Sequence, residues 1–189
     1  MGVYTGIAQD NPTLNGGTAY NLNLTGTPQI GGTNLTATAA EINAAADVSS
    51  RLVAATAATL AVTVASHDSK IIVLDRAAGV VATLPAATGS GAVFRFTVKT
   101  LVTSNNYVIQ VADNTDVMSG SLFVTDQAAG TGTEFSTTAT SDTITMNGST
   151  TGGLAGGILT LVDVAANLYA IHGNIIATGV EATPFSAAV

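Results

Sequence analysis

Short apolar segments separated by turn residues recur along residues 60–189, and this recurrence limits the possible folds more than any other feature of the chain. The segments are rich in Val, Ile, Thr, Phe and Tyr, which favour strands, and they recur at roughly 8–12-residue spacing. Such a pattern is typical of β-sandwiches and jelly rolls. The predicted strands are 60–65, 70–75, 80–84, 92–100, 107–112, 121–125, 134–139, 143–146, 158–162, 168–172 and 175–178.

The segment "TLPAATGSGAVFRFTVKT" illustrates the pattern. A strand is expected to end at Pro85, followed by a loop of small residues and a second strand. Alternation in this second strand places Phe94 and Phe96 on one face and Arg95 and Thr97 on the other. One apolar and one mixed face are typical of a half-buried strand. The fold class predicted for residues 59–189 is therefore mainly β, with a β-sandwich or jelly-roll-like body.

Residues 36–58 carry the only strong helix pattern. Thr38 followed by Glu41 forms a capping box, in which each side chain bonds to the other residue's backbone N–H. The following Ala-rich stretch favours a helix, with Ile42 and Leu52 sharing a face. Ser49 and Ser50 interrupt it. We predict a short helical linker over 36–58, and a helix this short needs a packing partner.

Residues 1–35 are rich in Gly, Asn and Thr and cannot bury a core of their own. Apolar side chains nevertheless recur along this segment. We predict an extended N-terminal arm that docks on a partner through these side chains rather than a terminus without contacts. The expected docking residues are Val3, Tyr4, Ile7, Leu14, Tyr20, Leu22 and Leu24.

The composition narrows the class of partner. Charged residues make up only 9% of the chain, and the net charge is −7 with only five Lys and Arg. A basic stripe for nucleic acid or for an anionic membrane cannot be built from so few cations. A surface poor in charge favours contact with other protein chains. We therefore expect protein partners, and neither nucleic acid nor membrane.

Residue combinations that suggest chemistry have simpler structural interpretations. The sequence His67-Asp68-Ser69 is predicted to be a polar turn, because catalytic triads converge from distant parts of a fold. His172 is interpreted as a packed or interface histidine. Asp113, Asn114 and Asp116 could offer oxygen ligands to calcium, but such residues in a turn usually bond to the backbone.

Paired carboxylates could cleave glycosides, but the sequence does not pair them. The candidates are Asp75, Asp113, Asp126, Glu134 and Asp163. The chain has no Cys and only two His, which leaves little for thiolate chemistry or a zinc site. We predict no enzyme activity, no catalytic residue, no metal and no cofactor.

Four segments resemble structural proteins of tailed bacteriophages. "LTATAAEINAAADVSSRLV" resembles the "LTATAAELN" segments found where an arm meets a trimeric body. Phage head-decoration, head-fibre and tail-fibre-like β-domains resemble "VVATLPAATGSGAVFRFTVKT", "TSNNYVIQVADNTDVMSGSLFV" and "TSDTITMNGSTTGGLAGGILTLVDVAANLYAIHGNIIATGVEATPFSAA". The resemblance covers about residue 35 to the end.

This resemblance implies a virion structural protein, and two locations are compatible with it. The first is a capsid decoration, or cement, protein that binds the outer surface of the phage head, contacts the major capsid protein and stabilises the shell. The second is a tail-fibre or baseplate component that takes part in binding a host receptor. The resemblance also implies a homotrimer, in which the helix around Thr38, Glu41 and Ile42 packs about a three-fold axis.

Overall fold

A computed structural model describes residues 29–30, 32–34, 36–46 and 51–189. The chain divides into two compact units, Met1–Ala46 and Asp47–Val189. In the first unit, β1 (Gln29–Ile30) pairs antiparallel with β2 (Thr33–Asn34), and α1 (Ala39–Ala46) follows. No helix in the described part of the chain is long and apolar enough to cross a membrane.

The second unit contains twelve strands and one short helix. The elements in chain order are β3 (Leu52–Ala55), β4 (Thr59–Ala61), α2 (Val64–His67), β5 (Ile71–Leu74), β6 (Val80–Thr83), β7 (Val93–Val98), β8 (Tyr107–Gln110), β9 (Val117–Asp126), β10 (Thr131–Ser136), β11 (Thr143–Met146), β12 (Ile158–Ala165), β13 (Leu168–Ala177) and β14 (Phe185–Ser186).

These strands form two sheets. The seven-stranded sheet has the order β10-β9-β13-β12-β7-β5-β3, and the five-stranded sheet has the order β14-β11-β8-β6-β4. From β3 to β8 the chain alternates between the sheets, and each strand lies parallel to the previous strand of its own sheet. Later pairs are antiparallel except β9 with β13, which is parallel over ten residue pairs.

One hydrophobic core contains side chains from both sheets. Phe94, Phe96 and Leu161 belong to the seven-stranded sheet, and Ile109 and Ile144 to the five-stranded sheet; all are essentially inaccessible to solvent. Burying such side chains contributes roughly 1.5–3 kcal/mol each. The two sheets therefore pack as the layers of a sandwich, and this confirms the mainly β, sandwich-like body predicted from the strand spacing.

The strand predicted around Phe94 and Phe96 is confirmed in detail. Both rings are buried in β7, Arg95 between them is exposed, and Thr97 is half-buried. Three other predictions need adjustment, the first being the strand predicted at 134–139, because β10 spans Thr131–Ser136. The segments 168–172 and 175–178 form the single strand β13, and residues 60–65 contain the end of β4 and the start of α2.

The helical linker predicted over 36–58 is wrong for residues 52–55. Leu52–Ala55 form β3, which pairs parallel with β5, so the sandwich begins before residue 59. Arg51 O accepts a hydrogen bond from Ile71 N (2.8 Å), and Ala55 O accepts one from Asp75 N (3.1 Å). Ala55 is also buried in the core. Sheet pairing and burial outweigh the modest helix preference of the alanines, because propensity is weaker than tertiary context.

Candidate interaction surface

The carboxylate of Asp163 is the most heavily hydrogen-bonded side chain described. It lies on β12, is 2% exposed, and accepts bonds from the backbone N–H groups of Thr88 (3.0 Å), Gly89 (2.7 Å) and Ser90 (3.0 Å). The Oγ of Ser90 donates a further bond at 2.6 Å. Burial raises the pKa of Asp163, but these hydrogen bonds outweigh burial and lower the pKa to about 2. Asp163 thus organises the loop between β6 and β7.

Three further buried carboxylates also bond to backbone N–H groups. Asp116 accepts from Ala87 N (3.0 Å), Asp126 accepts from Ala128 N (2.7 Å), and Asp142 accepts from Ala188 N (2.8 Å). Each bond holds a loop or the C-terminal segment to the sandwich. These carboxylates satisfy backbone donors, which is the usual requirement for buried polar groups.

The turn with the candidate calcium ligands has a structural role. Asp113 accepts bonds from Thr115 N (2.8 Å) and Thr115 Oγ1 (2.5 Å), which lower its pKa, while Asp116 is buried and bonded to Ala87. Among the described residues, no group of three or more His, Asp or Glu side chains is arranged to hold a metal ion.

The two histidines lie in different surroundings. His67 is buried at the end of α2, where its Nδ1 lies 3.0 Å from Thr63 N. Asp68 accepts from Val93 N (2.8 Å), so the His67-Asp68-Ser69 turn holds β7 in place. His172 is exposed on β13, so it is not packed within the protomer. Its assignment to an interface stays a prediction.

A cleft of about 340 Å³ lies beside β4 and β6, and two of the polar side chains that line it are bonded to nearby backbone oxygens. Arg76 Nη1 donates to Ala78 O (2.9 Å) and Gly79 O (2.6 Å), and Asn105 Nδ2 donates to Ala78 O (3.1 Å). These bonds fix the loops and leave the guanidinium engaged. The cleft therefore presents one charged side chain, that of Arg76, and this side chain is already bonded to backbone oxygens.

The predicted capping box is present at α1. Thr38 N donates to Glu41 Oε2 (2.6 Å), and Glu41 N donates to Thr38 Oγ1 (3.2 Å). The bond from Thr38 N, with a second from the Thr38 hydroxyl, lowers the pKa of Glu41. Ile42 is 39% exposed in the protomer. The role of this helix in a trimer stays a prediction, and the arm residues from Val3 to Leu24 lie outside the described residues.

The outer face of the seven-stranded sheet is a wide surface formed by described residues. Two rows of directly paired residues cross all seven strands. The first row is Ala54, Val73, Thr97, Ile158, Asn174, Phe123 and Glu134; the second is Leu52, Ile71, Arg95, Thr160, His172, Ser121 and Ser136. Strands lie about 4.8 Å apart, so each row spans about 29 Å. We call these two rows the outer face.

The outer face is mixed in polarity, and it exposes several large apolar side chains among its Thr, Ser and charged residues. Leu52 is 64% exposed, Ile158 54% and Phe123 42%. Ile71 and Val73 are half-buried beside them. Parallel strands normally have both faces covered, and antiparallel strands normally turn polar side chains to water. Exposed apolar side chains on a surface of this width fit a protein partner.

Sequence reasoning did not identify this surface, although two segments carry a signal for it. "RLVAA" and "KIIVL" are nearly continuous apolar runs rather than alternating ones, as expected of parallel strands buried on both faces. No protein-family model matches the chain, and no curated protein or solved structure shows significant similarity to it.

Proposed function

We propose that this protein is a structural component of a bacteriophage virion, a capsid decoration protein that binds the outer surface of the head and stabilises it. Its partners are the major capsid protein and further copies of itself in a homotrimer. The observation that supports the proposal is the outer face, with Leu52, Ile158 and Phe123 substantially exposed on a rigid sheet. The buried carboxylates, in contrast, are engaged in holding loops, so the proposal assigns no enzyme activity.

Binding to a capsid in this way requires a large contact area and many repeated contacts. A stable protein interface buries about 800 Å² on each partner, and apolar area contributes roughly 25 cal/mol per Å² before the costs of association. A trimer that engages a lattice of capsid subunits makes several such contacts at once, so modest single contacts add up to durable attachment. In the proposal, the arm residues from Val3 to Leu24 supply further docking contacts.

The test is co-sedimentation of the full chain with heads of the encoding phage that were assembled without it. We expect saturable binding and a higher temperature of head disruption. The double variant Ile158→Asp/Phe123→Asp should weaken binding at least tenfold, because it places two charges on the outer face. Val180→Asp is the control, since Val180 is 86% exposed and lies outside this face.

Two outcomes would contradict the proposal. Absence of binding by the full chain would exclude decoration, and antibody labelling of tails instead of heads would favour the tail-fibre or baseplate alternative. The arm is tested separately by deleting residues 1–35. Binding that is undiminished by this deletion would remove the arm as an anchor while leaving the outer face as the docking surface.

A further inference from the structure

The edge strands of the seven-stranded sheet are longer than those of the five-stranded sheet and carry more unpaired backbone groups. β3 and β10 are the edge strands, and they are four and six residues long. The edges of the five-stranded sheet, β14 and β4, are only two and three residues long. Proteins commonly protect edges by shortening them or by placing Lys, Pro or a bulge there. β4 and β14 are protected because they are so short.

Both longer edges lack Lys, Pro and bulges, although β10 carries the charged side chain of Glu134. β3 has the sequence LVAA and β10 the sequence TGTEFS, with neither Lys nor Pro in either strand. Register shows which backbone groups are free. Arg51 O and Ala55 O bond to β5, so alternation directs the N–H and C=O groups of Leu52 and Ala54 away from the sheet.

The same alternation applies at the opposite edge. Thr137 N bonds to Gly120 O on β9 (3.0 Å), which directs the backbone groups of Gly132, Glu134 and Ser136 outward. No described strand pairs with the outer side of either edge, so both can act as templates for another strand. Because they belong to one sheet, joining β3 of one copy to β10 of another would continue the sheet from subunit to subunit.

Cations outnumber carboxylates near the start of β3 and β5, where Asp68 lies two residues before Lys70 and accepts a bond from Val93 N (2.8 Å). Arg51 immediately precedes β3, Lys70 precedes the neighbouring strand β5, and Arg95 pairs with Ile71 on the outer face. These are three of the five cations in the chain. Among the described residues the only ion pair is between Lys99 and Asp75, so none of the three is in an ion pair there.

The opposite edge carries a carboxylate without a cation. Glu134 is exposed on β10, and its Oε1 accepts a bond from Ser121 Oγ (2.6 Å) rather than from a charged group. A β10 strand placed against β3 would bring Glu134 close to the cationic group around Arg51. Complementary charge of this kind fixes register and favours one partner over others.

We infer that copies of this chain associate head to tail through the edges of the seven-stranded sheet, with β10 of one copy paired to β3 of the next. Such a contact uses two different surfaces, and repeated contacts of this type close into a ring when the rotation allows it. The inference deepens the self-association within the proposed function. It is tested on the free protein, so its failure would leave capsid binding untouched.

A proline scan of the edges tests the pairing directly. Ala54→Pro removes an N–H that points to the free side of β3, a position where proline is compatible with a strand. Ala61→Pro makes the same change on the free side of β4, because Ala58 O and Val62 N bond to β6. We expect light scattering to show at least a tenfold weaker self-association for Ala54→Pro and wild-type behaviour for Ala61→Pro.

Cysteine cross-linking gives an answer even if a proline variant fails to fold. The chain has no Cys, so Ala54→Cys and Ser136→Cys each introduce a single thiol. With a short bismaleimide, a mixture of the two variants should cross-link, whereas each variant alone should not. The double variant Ala54→Cys/Ser136→Cys should give a ladder that ends at the closed ring, and the proposed homotrimer predicts three chains there.

The inference would be overturned by any of three results. The wild-type chain could remain monomeric at about 100 µM, well above the micromolar range of weak specific contacts. Cross-links could form equally well within one single-cysteine variant, which would indicate a symmetric face instead. Association of folded Ala54→Pro could also equal that of the wild type.

Discussion

Ser90 Oγ lies 2.6 Å from Asp163 Oδ2, although 73 residues separate the two in sequence. The bond joins the loop between β6 and β7 to β12, and the N–H groups of Thr88 and Gly89 complete the arrangement. An ionised carboxylate that accepts several N–H and O–H bonds can be stable at a buried position. The small residues of this loop let its backbone approach the carboxylate. Their role is this close approach and not a chemical reaction.

Replacing Asp163 by Asn should destabilise the sandwich. Asn offers one carbonyl oxygen where the carboxylate offered two, and its NH₂ group would face backbone donors. We expect a loss of about 2–3 kcal/mol in the free energy of unfolding, measured by urea denaturation at pH 7. Asp113→Asn is the control, because Asp113 is exposed and bonds only within its own turn. Equal effects of the two substitutions would contradict this role for Asp163.

The same carboxylate predicts a dependence of stability on pH. The pKa of Asp163 is about 2 in the folded protein and 3.8 as the ordinary value. The folded state therefore favours the ionised form, and the stabilisation is complete above about pH 5 and decreases as pH falls from about 4 to 2. The shift corresponds to about 2 kcal/mol.

Unfolding measured at pH 6 and pH 2.5 should show this loss in the wild type. Asp163→Asn should lose less over the same interval, because it has no carboxyl group to protonate at this position. Parallel curves for the two proteins would mean that another group controls the acid sensitivity.

Local sequence patterns predicted which segments are strands, but they did not predict strand partners. Alternation in β7 indicates that Phe94 and Phe96 face the core, yet it does not indicate that β5 and β12 are the neighbours. Partner choice depends on contacts between residues far apart in sequence. The sequence likewise did not distinguish Asp163 from the other carboxylates, because its partners lie in a distant loop.

In the Ala-rich stretch after α1, the local sequence pattern predicted a helix where the structure has a strand. Its alanines favour a helix locally, but Leu52–Ala55 gain backbone hydrogen bonds by pairing with β5, and Ala55 is buried in the core. The outer face was missed for a related reason. Ile158, Asn174 and Phe123 become neighbours only when three separate strands are in register.

Gly120, the one glycine of the long strand β9, is predicted to tolerate no other residue without a large loss of stability. Its φ of +144° is rare for other residues, and an added Cβ would lie 2.0 Å from the backbone O of Ile171. Gly120→Ala should separate β9 from β13 and cost at least about 3 kcal/mol. The control is Gly91→Ala, because Gly91 also has a positive φ (+76°) but open space around it.

Gly91→Ala should cost only about 1 kcal/mol, which corresponds to backbone strain without a clash. Thermal unfolding of both variants measures the difference. A similar melting temperature for the two would show that β9 can move away from Ile171 at little cost.

The two buried tyrosines offer a graded test of hydrogen bonding. Tyr107 is inaccessible, its hydroxyl donates to Thr100 O (2.8 Å) and accepts from Arg76 N (3.0 Å), and burial raises its pKa. The hydroxyl of Tyr169 donates to Pro85 O (2.8 Å). Tyr107→Phe leaves a donor and an acceptor without partners and should cost about 2–3 kcal/mol.

Tyr169→Phe removes one donor and should cost about 1 kcal/mol. Chemical denaturation of both variants at pH 7 gives the comparison, with the slope of the transition unchanged if the native fold is kept. The reverse order of the two losses would mean that water satisfies Arg76 N and Thr100 O once the hydroxyl of Tyr107 is gone. In that case the loop that follows β5 would be more open to solvent than its hydrogen bonds to Tyr107 indicate.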